Sequence, residues 1–164
     1  MQRKIFLAIF FIIIVSIAGV WYLTQSNPVF ASDFLLTDLD GKTFTLNDFR
    51  GQVVMIDFMA TWCGPCRMQM PYNKIVWEEF GDELILISID VDVMESEETL
   101  KIFAQEYPYA TWIWARDTAN LSQIYKVASI PTTVIMDQEG YIRFTHVGVT
   151  SSSILIQEIE ELMN

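Results

Sequence analysis

A chain of 164 residues suits one compact domain plus an appendage. Its net charge of -11 argues against a nucleic-acid surface, because phosphate contacts need concentrated cations and Lys42, Arg50 and Lys74 are scattered. It has only two cysteines and one histidine, so a closed zinc site of about four ligands has few such donors to draw on.

Arg3 and Lys4 precede an uncharged apolar run from Ile5 to Leu23. As a helix this run would be about 28 Å long, enough for the hydrocarbon core of a bilayer. The basic residues on its short side place the N-terminus in the cytoplasm and the acidic remainder outside, and Trp21 and Tyr22 suit the far interface. The expected division is a cytoplasmic tip, transmembrane anchor and short linker over 1–31, then a domain over 32–164. Val29-Phe30-Ala31 keeps a second reading open, a signal segment cut near Ala31 that would release a soluble secreted domain. Against it, the apolar run is longer than an h-region of about 7 to 15 residues.

Asp40-Gly41 between Phe34-to-Leu39 and Thr43-to-Leu46 predicts a β-hairpin. Asn47 to Gly51 turns the chain into a strand over Gln52 to Met59, apolar except for Asp57. An unpaired carboxylate is expensive to bury, so Asp57 has a function or a hidden partner, and turn amides at a strand end are one such partner. Desolvation would raise its pKa toward working pH and make it a candidate general base.

Trp62-Cys63-Gly64-Pro65-Cys66-Arg67 follows at the start of a predicted helix. Two intervening residues let both sulfurs sit in its first turn. Pro65 suits that turn, where its missing N–H would be unpaired anyway, and Gly64 leaves the approach unobstructed. The free amides and dipole of the helix N-terminus favour a thiolate, assigned to Cys63 as the more exposed cysteine, with Cys66 as the resolving thiol. A Cys-x-x-Cys after a strand reads as a redox pair; an inert disulfide and half of a metal site remain the alternatives.

This helix is expected to run to Phe80 and stop at Gly81, with Ile75, Val76 and Phe80 supplying apolar contacts and Pro71 kinking its first turns. Leu84 to Val91 reads as a central buried strand with Asp90 and Asp92 at its end. A helix over Glu97 to Tyr107, a strand over Ala110 to Ala115 with Trp112 and Trp114 on one face, and a helix from Thr118 or Asn120 to about Tyr125 come next. Ile130-Pro131-Thr132 opens a β-branched strand, residues 141 to 147 form its antiparallel neighbour with His146 at the end, and a terminal helix buries Leu155, Ile159 and Leu162 while Glu158 and Glu161 face outward. No glycine-rich nucleotide fingerprint follows any predicted strand, and no heme or other cofactor motif is present.

Trp62 to Arg67, Pro71 and Ile130-Pro131-Thr132 together resemble the thioredoxin superfamily, and the chain from about residue 32 onward is similar to its membrane-anchored, extracytoplasmic thiol-disulfide oxidoreductases of the cytochrome c maturation type. The resemblance implies an α/β thioredoxin-like fold with an N-terminal β-hairpin and a central αβα insertion, preceded by one transmembrane helix. It implies that Asp57 relays a proton to or from Cys66, and that Ile130-Pro131 is a cis bond turning backbone groups of Ile130 toward a substrate chain. It also implies that Trp62, Gly64, Pro65, Ile130, Pro131 and Gly148 border that substrate. Gly64-Pro65 resembles the dipeptide of reducing members, which implies a membrane thiol carrier as electron donor and no cofactor. Where thioredoxin has a lysine beside the buried acid, this chain has Ser88.

The expected substrates are therefore protein or peptide thiols and disulfides. The competing reading is a copper-binding or thiol-chaperone module, although copper-carrying relatives use a wider cysteine spacing together with a histidine. A peroxidase reading is disfavoured because the nucleophile lies in a thioredoxin-like pair.

Overall fold

The computed structural model describes residues 29–163. In chain order its strands are Val29–Phe30 (β1), Leu35–Thr37 (β2), Thr43–Thr45 (β3), Val53–Met59 (β4), Leu84–Asp90 (β5), Ile113–Arg116 (β6), Thr132–Met136 (β7) and Tyr141–Val147 (β8). Its α-helices are Gly64–Phe80 (α1), Glu97–Gln105 (α2), Leu121–Ile124 (α3) and Ser152–Met163 (α4).

β4 and β5 lie at the centre because their runs of Val, Ile, Leu, Met and Phe offer apolar groups to both faces of a sheet. They pair in parallel from Val53 with Leu84 to Met59 with Asp90, and β5 pairs in parallel with β6. β7 adds to β4 in antiparallel register, with Asp57 opposite Thr133, and β8 folds back along β7. The six-stranded order is β1-β8-β7-β4-β5-β6, and β2 and β3 form the separate hairpin expected from Asp40-Gly41. The thioredoxin-like α/β fold is present, and so are the helix, strand and helix between β5 and β7.

Two apolar layers sandwich the sheet. Met55 and Met59 of β4 face Met70 and Val76 of α1, Phe103 of α2, and Leu155 and Ile159 of α4. Val54, Ile56 and Phe58 face the hairpin residues Leu36 and Phe44 and Leu121 of α3. Alternation along β4 produces this division, and it puts Asp57 on the α1 side. Trp112 and Trp114 stack on each other in the first layer, their indole nitrogens donating to Ser88 Oγ (2.9 Å) and Ala110 O (3.0 Å). They are core residues.

Several local expectations need correcting. Ile75 is 44% exposed, because the buried stripe of α1 runs through Cys66, Gln69, Met70, Asn73 and Val76 and each residue turns the helix by about 100°. The extent of α1 is as expected: it runs to Phe80 with Pro71 inside it, and Gly81 at positive φ closes it. Glu158 does not face outward: it sits 2.7 Å from Nε2 of His146 and is only 17% exposed. Residues 110 and 111 form turns, with Ala110 N donating to Tyr107 O and Thr111 N to Tyr109 O, so the strand begins at Ile113. α3 is held at its start by Asp117, whose carboxylate accepts from Leu121 N and Ser122 N, rather than by Thr118 or Asn120.

β1 was not anticipated. Val29 and Phe30, in the stretch read as linker, pair with Ile142 and Tyr141, and Ala31 N donates to Gly140 O. Among the described residues no helix is long and apolar enough to cross a membrane. The run from Ile5 to Leu23 lies outside the described residues.

The two faces of α4 yield a stability prediction. Leu155 is fully buried, so Leu155→Ala is expected to lower unfolding stability by about 3 kcal/mol through lost burial plus a cavity. Its exposed neighbour is the control: Ile154→Ala should change stability by no more than about 0.5 kcal/mol. Urea denaturation of both variants checks this, and equal effects would contradict the assigned face.

Candidate active site

Cys63 is the N-cap of α1: its backbone is extended and its Sγ accepts from Cys66 N at 3.1 Å. The geometry follows from the local sequence, since a sulfur at the N-cap meets the free amides of the first turn and Pro65 withholds no amide that the helix needs. The cysteines form a disulfide, with Cα atoms 5.2 Å apart. Cys63 is 4% exposed and Cys66 is fully enclosed, the order expected, although Cys63 reaches solvent through a small aperture only.

Trp62 stands out from this turn, 66% exposed, its Nε1 donating to Asp92 Oδ2 at 2.7 Å. Thr61 beside it donates from both N and Oγ1 to the carboxylate of Glu95. The acidic stretch after β5 therefore clamps the approach to the cysteines. Glu95 is a residue that sequence reasoning missed, because nothing local in its sequence marks a partner so far back in the chain. Asp92 is held below the ordinary carboxylate range, chiefly by the Met94 amide and then by Trp62. Burial, with Glu95 alongside, pushes Asp90 up to about 7. Arg67 donates to Thr61 O and Glu106 and lies over the Phe103 ring, so its charge is already engaged.

The Ile130-Pro131 bond is cis, and Cys63 Sγ lies 3.8 Å from Ile130 O. Gly148 N donates to Pro131 O at 2.8 Å, which brings the end of β8 to the same rim. Gly148 has a φ of 93°, a conformation that glycine adopts without strain. A groove of about 400 Å³ opens between Trp62, Val93 and Ile130. Six positions assigned from sequence to the substrate rim or to exchange, namely Trp62, Cys63, Gly64, Pro65, Ile130 and Pro131, thus converge, and Gly148 joins them through Pro131.

Asp57 is fully buried on the face of β4 covered by α1, the helix that carries Cys66. Burial raises its pKa to about 7, opposed by a hydrogen bond from Asn73 Nδ2 to Oδ2 at 2.8 Å. The partner is this amide, not a set of turn amides. In register on either side lie Ser88 and Thr133, so no cation occupies the neighbouring strand position. Asn73 and Gln69 were missed. Their only signal is a polar pair four residues apart on the stripe of α1 that also holds Cys66 and Met70.

His146 lies two strands from β4 and bonds to Glu158, not to either sulfur. Among the described residues no three His, Cys, Asp or Glu side chains cluster as a metal site.

The chain is similar in sequence and in fold to known proteins. A family model described as the AhpC/TSA family matches residues 29–145. The chain is 34% identical over 131 residues to the thioredoxin-like protein YneN of Bacillus subtilis, covering 79% of this chain and 76% of that one. It is 31% identical over 111 residues to the thiol-disulfide oxidoreductase ResA of Bacillus thuringiensis, covering 67% of this chain and 63% of that protein, slightly less than two thirds of its length. The crystal structure of the exposed lipoprotein thioredoxin of Streptococcus pneumoniae superposes with a TM-score of 0.71 at 30% identity, covering 80% of this chain and 100% of that one.

Proposed function

The chain belongs to the AhpC/TSA family, thioredoxin-like in fold, and on that premise we propose that it reduces protein disulfides outside the cytoplasm through Cys63 and Cys66. It is a thiol-disulfide oxidoreductase. The observation that carries the reading is the cysteine pair at the N-terminus of α1 with the Ile130 carbonyl beside Cys63.

In the reduced state the amides of the first turn stabilise a Cys63 thiolate. That thiolate attacks one sulfur of a substrate disulfide: a Cys63–substrate bond forms, the substrate S–S bond breaks, and the other substrate sulfur leaves as a thiolate. Cys66 then gives its proton to Asp57 and attacks Cys63 Sγ, closing the Cys63–Cys66 disulfide and releasing the second substrate sulfur. Two electrons pass to the substrate. A carboxyl that titrates near 7 can accept and release that proton at working pH. Trp62, Gly64, Pro65, Ile130, Pro131 and Gly148 border the substrate chain, the cis bond aiming backbone groups of Ile130 at it.

The residues before Val29 supply the cytoplasmic tip, anchor and linker, and the exchange domain on the extracytoplasmic side begins with β1 at Val29 rather than at residue 32. Support comes from the apolar run after Arg3 and Lys4 and from the exposed lipoprotein among the relatives. A membrane thiol carrier re-reduces the pair, and apocytochrome cysteines awaiting heme are a suitable client, in keeping with the Gly64-Pro65 dipeptide.

The direction is tested by equilibrating the full chain with glutathione buffers. A reductase is expected near about -270 mV, the reducing end of the fold's range, whereas a value near about -120 mV would make it an oxidant.

A further inference from the structure

Between α1, β4 and the turn before α4, four polar groups form one unbroken hydrogen-bonded chain inside an apolar layer. Thr150 N donates to Gln69 Oε1 at 2.8 Å, and Gln69 Nε2 donates to Thr150 O at 3.1 Å and to Asn73 Oδ1 at 2.9 Å. Asn73 Nδ2 then donates to Asp57 Oδ2 at 2.8 Å. Gln69, Asn73 and Asp57 are all fully buried.

A side-chain carboxamide can face either way, but a backbone N–H can only donate. The Thr150 amide therefore fixes which end of Gln69 is oxygen, Gln69 fixes Asn73, and Asn73 is left with a donor facing Asp57. Reversing either amide would set two acceptors or two donors against each other in a fully buried site, at the desolvation penalty of the groups left unpaired. Oδ2 of Asp57 is thereby occupied as an acceptor. Oδ1 is buried without a partner, and so is Oγ1 of Thr133, its neighbour in register.

We propose that Gln69 and Asn73 are positioning residues for the exchange reaction, a relay by which the Thr150 backbone amide commits Oδ2 of Asp57 to accepting and leaves Oδ1 as the oxygen that takes the proton from Cys66. The inference rests on the reading of Asp57 as proton acceptor. Its chemical sense is that burial alone would keep Asp57 protonated and unable to accept, and the fixed donor counters this. No charge does so in its place. On the packed faces β5 presents Ser88, β7 presents Thr133, α1 presents Cys66 and Asn73, and α4 presents Leu155 and Ile159; the ionisable pair His146 and Glu158 lies beyond Thr133.

The test follows the Asp57 carboxyl by carbon NMR in the oxidised full chain in detergent micelles, with Asp57→Asn identifying the signal by its loss. Asn73→Leu removes the donor and should move the titration midpoint upward by about one pH unit. Gln69→Met keeps the side-chain length, adds no charge and does not depend on Asn73→Leu folding. With neither donor nor acceptor at position 69, Asn73 can turn its oxygen to accept from a protonated Asp57, and the midpoint again rises. A midpoint unchanged in both variants overturns the relay. The pH profile of exchange, measured on the reduced variants, should move in step with the carboxyl. If the carboxyl midpoint moves and the rate profile does not, the relay stands as the device that sets Asp57's titration, and it is the assignment of Asp57 as proton acceptor that fails.

Discussion

Cys66→Ser is expected to turn the protein into a trap that accumulates covalent adducts with disulfide substrates, whereas Cys63→Ser loses both trapping and turnover. The asymmetry comes from position. Cys63 sits at the cap, reaches solvent and accepts from the Cys66 amide; Cys66 is enclosed by the core that holds Met70 and Leu155. Only a sulfur that reaches solvent can meet a partner disulfide, and the amides that cap the helix favour a thiolate at that position. With Cys66 gone the mixed disulfide has no internal thiol to resolve it, so its lifetime is set by outside thiols. Non-reducing mass spectrometry after incubation with a disulfide-bonded peptide reads both outcomes. Equal trapping by the two variants, or trapping by Cys63→Ser alone, would contradict the assigned order.

The second large effect is on stability. Asp57 has an ordinary pKa of 3.8 in an unfolded chain and one of about 7 when buried. Below pH 4 it is neutral in both states and its burial carries no charge penalty. As pH rises the unfolded chain ionises first, so stability falls through this window and levels off once the folded group ionises near pH 7. The difference amounts to about 4 kcal/mol at pH 8. Asp57→Asn removes the charge while keeping an acceptor for Asn73, so at pH 8 the oxidised variant should be more stable than the unsubstituted protein by about 3 kcal/mol, the gain vanishing below pH 4. Asp90, also raised to about 7, adds a slope in the same range, so urea denaturation must be compared between the two proteins at each pH. Parallel curves would show that Asp57 is not titrating as its burial dictates. A stabilised variant that exchanges disulfides poorly would mean that the fold carries this acid for chemistry.

What could be read before the fold was seen, and what could not, divides along physical lines. The cysteine pair, Asp57 and Pro131 stand out because each breaks a local rule: rare sulfurs at fixed spacing, a carboxylate in an apolar strand, a proline opening a β-branched one. Asp40-Gly41 is legible as a turn signal between two short runs, although the turn it belongs to spans residues 38 to 42 and is braced by the Asp38 carboxylate, which accepts from Asp40 N and Lys42 N. β1 was missed because two residues have no periodicity, and the strand exists only through its pairing with β8. Glu158 was placed outward because helical spacing knows nothing of His146 on the sheet beneath it. Gln69 and Asn73 escaped for the same reason: on an amphipathic stripe a buried amide looks like an imperfection until the groups it satisfies, Thr150 and Asp57, are seen to be brought there from elsewhere in the chain.

The most direct test of exchange through this pair is turnover of insulin disulfides by catalytic amounts of the full chain with excess dithiol, run beside a Cu(I)-binding titration of the same reduced preparation. The account predicts many insulin disulfides reduced per protein, loss of turnover in Cys63→Ser, and no tight retention of copper. Reduction no faster than dithiol alone, with stoichiometric Cu(I) held by the cysteines, would contradict it and make the site a metal carrier.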